Sequence, residues 1–127
     1  MIHRPGAGRI PRPIVAARLS GTFRGPVEPS QEFEALIDTG AEGSLIWRPV
    51  LDRFGLIPSG RGTLTGVDGV EQVVPTAQMR IGVPPFDSAE VTVVVVDWRP
   101  SGCDVIVGMD YLGQIDFAVR QGTFGPI

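Results

Sequence analysis

Short aliphatic and β-branched runs, each cut off by Gly, Pro or a polar turn, constrain this chain more than any other feature. Ala35-Leu36-Ile37, Val91 to Val96 and Val105-Ile106-Val107 are too short for packed helices and suit a pleated sheet. Gly (17) and Pro (12) are scattered without a period through the 127 residues, which excludes a collagen-like repeat and predicts many turns between short strands. The length allows one domain and is too short for two. At 43% hydrophobic and 20% charged the chain can bury a core. Aromatics are only 7%, so that core must come mainly from Val, Ile, Leu and Ala.

Along the chain, residues 1–13 read as an extended, poorly ordered lead-in and residues 14–127 as the domain. Strands are expected over Ile14 to Phe23 and Gln31 to Ile37, joined by the turn Gly25-Pro26-Val27-Glu28-Pro29. Phe33, Ala35 and Ile37 then share one face, and the hairpin delivers Asp38-Thr39-Gly40 to a loop. A short strand over Ser44 to Trp47 leads to one or two helical turns between Arg48 and Phe54. Strands over Gly62 to Val67 and Val70 to Met79 flank Asp68-Gly69, a dipeptide suited to a tight hairpin turn. Ser88 to Val96 lacks polar alternation and is expected to be covered on both faces. A loop over Trp98 to Gly102, a strand over Asp104 to Val107, a helical turn over Met109 to Leu112 and a last strand over Ile115 to Val119 complete the reading.

The formal net charge is −3, and every basic side chain other than His3 is Arg. Arg4, Arg9 and Arg12 read as a solvated end rather than a nucleic-acid arm, and no basic stretch interleaved with aromatics occurs elsewhere. Cys103 is the only cysteine, which excludes an internal disulfide and favours a reducing, cytoplasmic setting. No stretch reads as a signal peptide, and the most apolar run is far below the ~20 residues of a membrane helix. His3, the only histidine, is expected to be a solvated N-terminal side chain, and no metal or cofactor site is expected.

Asp38-Thr39-Gly40 carries the chemistry. A carboxylate at the end of a buried strand is costly unless hydrogen bonded or protonated. Taken alone, the triplet could equally be an Asp closing an ordinary loop. Its surroundings extend the pattern. Ala35-Leu36-Ile37-Asp38-Thr39-Gly40-Ala41-Glu42 resembles the active-site segment of the retroviral-type aspartic proteases, the retropepsin family. Gly66-Val67-Asp68-Gly69-Val70 resembles the glycine-rich tip of the family's flap. Val105 to Leu112 resembles its apolar-apolar-Gly segment, in the Gly-Met-Asp form of cellular and retrotransposon members. The resemblance covers roughly residues 14–119, with the segments in family order.

The resemblance implies an all-β fold: a small closed β-barrel with one short C-terminal helix and a flap hairpin over the cleft. It also implies a homodimer hydrolysing polypeptide, since the mechanism needs two carboxylates and this chain has one such triplet. Asp38 would be the catalytic residue in each copy. By the same resemblance, Thr39 would lock the two active-site loops together and the Gly40 carbonyl would accept a hydrogen bond from substrate. Ala41 and Glu42 would line the cleft. Gly66, Val67, Asp68 and Gly69 would form the flap tip, with Asp68 adding charge near the substrate. Ile106, Val67 and the loop Pro100 to Cys103 would form pocket walls, Cys103 as a small apolar residue. Many retroviral members have an Arg at the position of Met109, paired with an acid near the active site. That pair cannot form here, and Glu42 replaces the usual Asp nearby. Two other readings stay open: a non-catalytic dimeric peptide-binding module of the same fold, and an unrelated β-barrel binding domain with a coincidental triplet.

Overall fold

Alternation along Phe33, Ala35 and Ile37 sets the frame of the fold, because it turns one face of a strand into the main core and leaves Leu36 on the other. The structure is a computed structural model that describes residues 2–4, 12–21, 30–66 and 68–127. The expected turn at Gly25 to Pro29 lies outside the described residues, as does Val67.

The strands are β1 (Ile2–Arg4), β2 (Arg12–Gly21), β3 (Gln31–Ile37), β4 (Leu45–Trp47), β5 (Gly60–Thr65), β6 (Glu71–Gly82), β7 (Ala89–Val96), β8 (Val105–Val107), β9 (Phe117–Arg120) and β10 (Thr123–Pro126). Two short helices, α1 (Arg48–Asp52) and α2 (Met109–Leu112), follow β4 and β8. Eight strands form one sheet in the order β1-β2-β3-β8-β4-β7-β6-β5, and β2 also pairs with β6. That extra pairing, Arg18 opposite Gly82 to Gly21 opposite Met79, closes six of the strands into a ring. β1 and β5 hang from it as outer strands. The all-β expectation therefore holds, including one short helix near the C-terminus.

The ring encloses a core in which Leu19, Ile46, Leu51, Met79, Ile81, Tyr111 and Leu112 are fully buried. A second, smaller group lies elsewhere. Ile14, Leu36, Ile106 and Leu45 occupy register positions across β2, β3, β8 and β4, and with Cys103 and Ala41 they form a separate apolar cluster. This cross-strand row underlies the loop that follows β3, because Ala41 of that loop packs on it.

Several local expectations change. β7 is not covered on both faces throughout: Glu90 and Thr92 are exposed while Val91 and Val93 are buried. A run of Val hides this period, since Val suits either face. The lead-in contains a strand, Ile2–Arg4, antiparallel to the start of β2. The last strand is one arm of a separate hairpin, β9 with β10, joined by Gln121 and Gly122 with φ of 52° and 78°. Positive φ at both positions is what a two-residue type I′ turn requires. Phe124 of that hairpin packs against Phe86 and Phe117, with ring centroids 5.3 and 5.7 Å apart.

Candidate active site

Asp38 is the first residue beyond β3, held by its N–H donating to Val107 O at 3.0 Å. The chain then turns back on itself. Ala41 N–H donates to Asp38 O (3.2 Å), and Gly40 N–H donates to Asp38 Oδ1 (2.9 Å). One carboxylate oxygen is thus oriented by the loop's own backbone. Asp38 is half-buried, while Thr39 and Gly40 after it are exposed. A carboxylate at a strand end is in this way partly compensated and still reachable.

The loop is fixed from behind by the segment starting at Gly108. Met109 N–H donates to Ala41 O (2.8 Å) and Asp110 N–H to Glu42 O (3.0 Å). Asp110 in turn accepts from Ser44 N–H at Oδ2 (3.0 Å) and from Ser44 Oγ–H at Oδ1 (2.6 Å). Ser44 Oγ accepts from Gly108 N–H at 3.0 Å. The contact is close enough that a Cβ on Gly108 would fall 2.7 Å from Gly43 O and 2.9 Å from Ala41 O. Glycine is therefore required there by approach.

Tyr111 anchors the same segment to the core. Its hydroxyl accepts from Val83 N–H (3.1 Å) and donates to Asp87 O (2.9 Å). Burial pushes this phenol above the ordinary tyrosine value, the Val83 hydrogen bond opposes that, and the Asp87 charge adds to it.

β5 and β6 form the hairpin expected as the flap, with Thr63 opposite Val73 and Thr65 opposite Glu71. Its turn is longer than the tight one expected from Asp68-Gly69. Gly66 N–H donates to Val70 O (3.1 Å) and Gly69 N–H to Gly66 O (3.0 Å). Gly69 has φ 78°, which favours glycine. Asp68 Oδ1 accepts from Val70 N–H at 3.0 Å, so this carboxylate shapes the turn as well as carrying charge. Val70 and Val73 leave apolar side chains exposed on the hairpin.

The structure thus brings Asp38, Thr39, Gly40, Ala41 and Glu42 together on one braced loop. Ile106 lies beneath it in the small apolar cluster. Cys103 belongs to that cluster and is fully buried, so it backs the surface instead of forming it. Gly66, Asp68 and Gly69 sit apart, at the hairpin tip. A groove of about 410 Å³ is lined by Ile14, Glu32, Phe33, Arg53 and Asp104 and does not include Asp38. Among the described residues, no group of three or more His, Cys, Asp or Glu side chains could hold a metal ion. None of the described helices is long and apolar enough to cross a membrane.

The family described as Aspartyl protease matches residues 17–111, a span that runs from β2 through the Asp38 loop to the segment that braces it. The chain belongs to the aspartyl protease family. Among solved structures it is similar to the protease of EIAV, in complex with the inhibitor HBY-793. That match has 20% sequence identity and a TM-score of 0.50, and covers 81% of this chain and 86% of the other. At that identity the likeness concerns the fold, which is that of a retroviral protease. A search of curated proteins gives no match.

In this aspartyl protease chain, sequence reasoning located the loop and the segment behind it but missed how they are joined. Ser44 and Asp110 form the bracing contact, with an uncharged Met109 between Gly108 and Asp110. The available signal was the acid in Gly108-Met109-Asp110 together with a small hydroxyl residue shortly after Asp38-Thr39-Gly40.

Proposed function

We propose that this aspartyl protease chain is an endopeptidase acting on extended polypeptide as a homodimer, with Asp38 supplied once by each copy. The observation that carries the reading is the state of Asp38. It is a single reachable carboxylate, oriented by Gly40 N–H, on a loop whose far side is braced by Gly108 to Asp110.

One carboxyl group cannot be ionised base and protonated donor in the same step, and a two-fold pairing of loops would supply the second. Two like charges a few ångströms apart do not both ionise cheaply, so such a pair holds one proton; aspartic proteases are the familiar instance. The ionised Asp38 takes a proton from a bound water as that water attacks the scissile carbonyl carbon. The protonated Asp38 donates a hydrogen bond to the carbonyl oxygen. Collapse of the tetrahedral species breaks the C–N bond, and a proton passes to the leaving amine. No covalent enzyme intermediate forms. Thr39 and Gly40 are exposed after Asp38, which suits the proposed contacts with the partner loop and the substrate backbone. The β5–β6 hairpin is the element suited to close over a bound strand, adding backbone hydrogen bonds.

The test is cleavage of a diverse unstructured peptide library from acid to neutral pH by wild type and Asp38→Asn. Wild-type cleavage that disappears in the variant is expected. Equal cleavage by both would reject Asp38 as the catalytic group. Absence of cleavage by either, with the dimer demonstrated in the same buffer, would turn the reading to a peptide-binding module.

A further inference from the structure

We infer that the seam between β2 and β6 holds a binding site for a phosphate-type dianion. The alternation that sends Leu19, Met79 and Ile81 into the core turns Arg18, Ser20, Arg80 and Gly82 outward. Arg18 lies opposite Gly82 and Ser20 opposite Arg80. The two arginines are therefore diagonal neighbours across the seam, at a spacing of roughly 7–8 Å between backbones. Gly82 sets no side chain opposite Arg18, and a hollow of about 210 Å³ lies over the seam. The two arginines and three serines, Ser20, Ser30 and Ser88, supply its polar lining, and Pro84 and Phe86 an apolar wall. Every polar side chain in that lining can donate a hydrogen bond, and among the described residues no carboxylate lines the hollow. Two cations and three hydroxyls facing one space favour an anion, and two diagonal guanidiniums favour one with several oxygens.

The donors are available. Arg18 meets Glu32 at 3.7 Å with both side chains more than half exposed, which makes that pair weak. Arg80 gives Nη2 to Glu90 at 3.1 Å and Nη1 to Ser88 Oγ at 3.3 Å. A guanidinium has five N–H donors, so these bonds leave others unused. Ser20 is only 5% exposed, and among the described residues its hydroxyl makes no hydrogen bond. The hollow is where a partner reaches it. The apolar wall is held in place, because the Tyr111 hydroxyl bonds Val83 N–H and Asp87 O on either side of Pro84 and Phe86. None of the lining residues belongs to the Asp38 loop, and the site needs no second copy of the chain.

The experiment follows backbone amide shifts of the full chain by NMR during titration with sodium phosphate at constant ionic strength, with sodium chloride as reference. The amides of Gly82 and Ser88 should shift saturably with phosphate and not with chloride. Arg18→Gln and Arg80→Gln should each weaken binding about tenfold, the loss expected for a charge-assisted contact. Arg120→Gln, outside the hollow, should bind like wild type. Both lining arginines reach solvent, so the variants keep the fold, and unchanged shifts elsewhere in the spectrum verify it. A second titration uses phenyl phosphate at about pH 7.5, where a phosphate monoester carries nearly two charges. Tighter binding than inorganic phosphate supports the site and identifies an organic phosphate resting on Phe86. Equal binding supports it with the free ion as ligand. Shifts that do not saturate, that chloride reproduces, or that keep their affinity in both arginine variants overturn the inference.

Discussion

Asp110 bears on the Asp38 loop more directly than its distance in sequence suggests. Its carboxylate accepts from the backbone and hydroxyl of Ser44 and from Tyr111 N–H at 2.8 Å, while its own N–H holds Glu42 O. Ser44 is fully buried, so losing the carboxylate leaves its N–H and its hydroxyl proton without acceptors in a site closed to bulk water, while Ser44 Oγ keeps only the bond from Gly108 N–H. Asp110→Ala is expected to cost about 3 kcal/mol in denaturant unfolding, the scale for removing a charged acceptor from buried donors. A loss below about 1 kcal/mol would mean that water replaces the carboxylate and that the brace is incidental. The same residue shows what could be read in advance. The place of Asp38 in a loop at the end of a buried strand was legible because its triplet follows the apolar run Ala35-Leu36-Ile37. The Ser44 to Asp110 contact was not, because it joins residues 66 apart, and no local periodicity reports a long-range hydrogen bond.

At the scale of elements, legibility followed how strongly each segment's pattern committed it to one face. β3 matches its expected span, Gln31–Ile37, because Phe33, Ala35 and Ile37 alternate with polar or differently buried neighbours. α2 likewise matches, bounded by Gly108 and Gly113. β10 was invisible: Thr-Phe-Gly-Pro has no alternation and is a strand only because Phe124 packs on Phe86 and Phe117. The hairpin tip was misjudged in length, since Asp68-Gly69 suggested a two-residue turn whereas β5 ends at Thr65 and β6 starts at Glu71. Asp68 accounts for the difference by capping Val70 N–H within a wider loop. Asp68→Ala is accordingly expected to loosen the tip without unfolding the hairpin. Amide exchange at Val70 should quicken about fivefold, matching a net hydrogen bond of about 1 kcal/mol. Exchange at Val74, within the β5–β6 ladder, should stay within experimental error. Equal acceleration at both positions would mean that the whole hairpin depends on Asp68, and no change at Val70 would mean that the cap contributes nothing.

At the scale of the whole molecule, the ring closed by β2 and β6 has a consequence for how the proposed dimer would be controlled. Leu19, Ile46, Leu51, Tyr111 and Leu112 are fully buried within one chain, so the core does not wait for a partner. On the proposed mechanism the chemistry does, because each chain holds one Asp38. Folding and activity should therefore separate on dilution. Below the dimer dissociation constant, specific activity is expected to fall roughly in proportion to protein concentration, while far-ultraviolet circular dichroism stays that of the folded chain. Mixing sharpens the test. Above that constant, a tenfold excess of Asp38→Asn chain should draw about nine in ten wild-type chains into mixed dimers and suppress activity to match. Sedimentation measured beside activity supplies the dissociation constant against which both results are judged. Constant specific activity across that concentration, or indifference to excess Asp38→Asn, would show that one copy is sufficient, and the shared-carboxylate mechanism would have to be abandoned. Loss of the circular dichroism signal together with activity would instead place the partner within the folding unit, contrary to the independent core seen here.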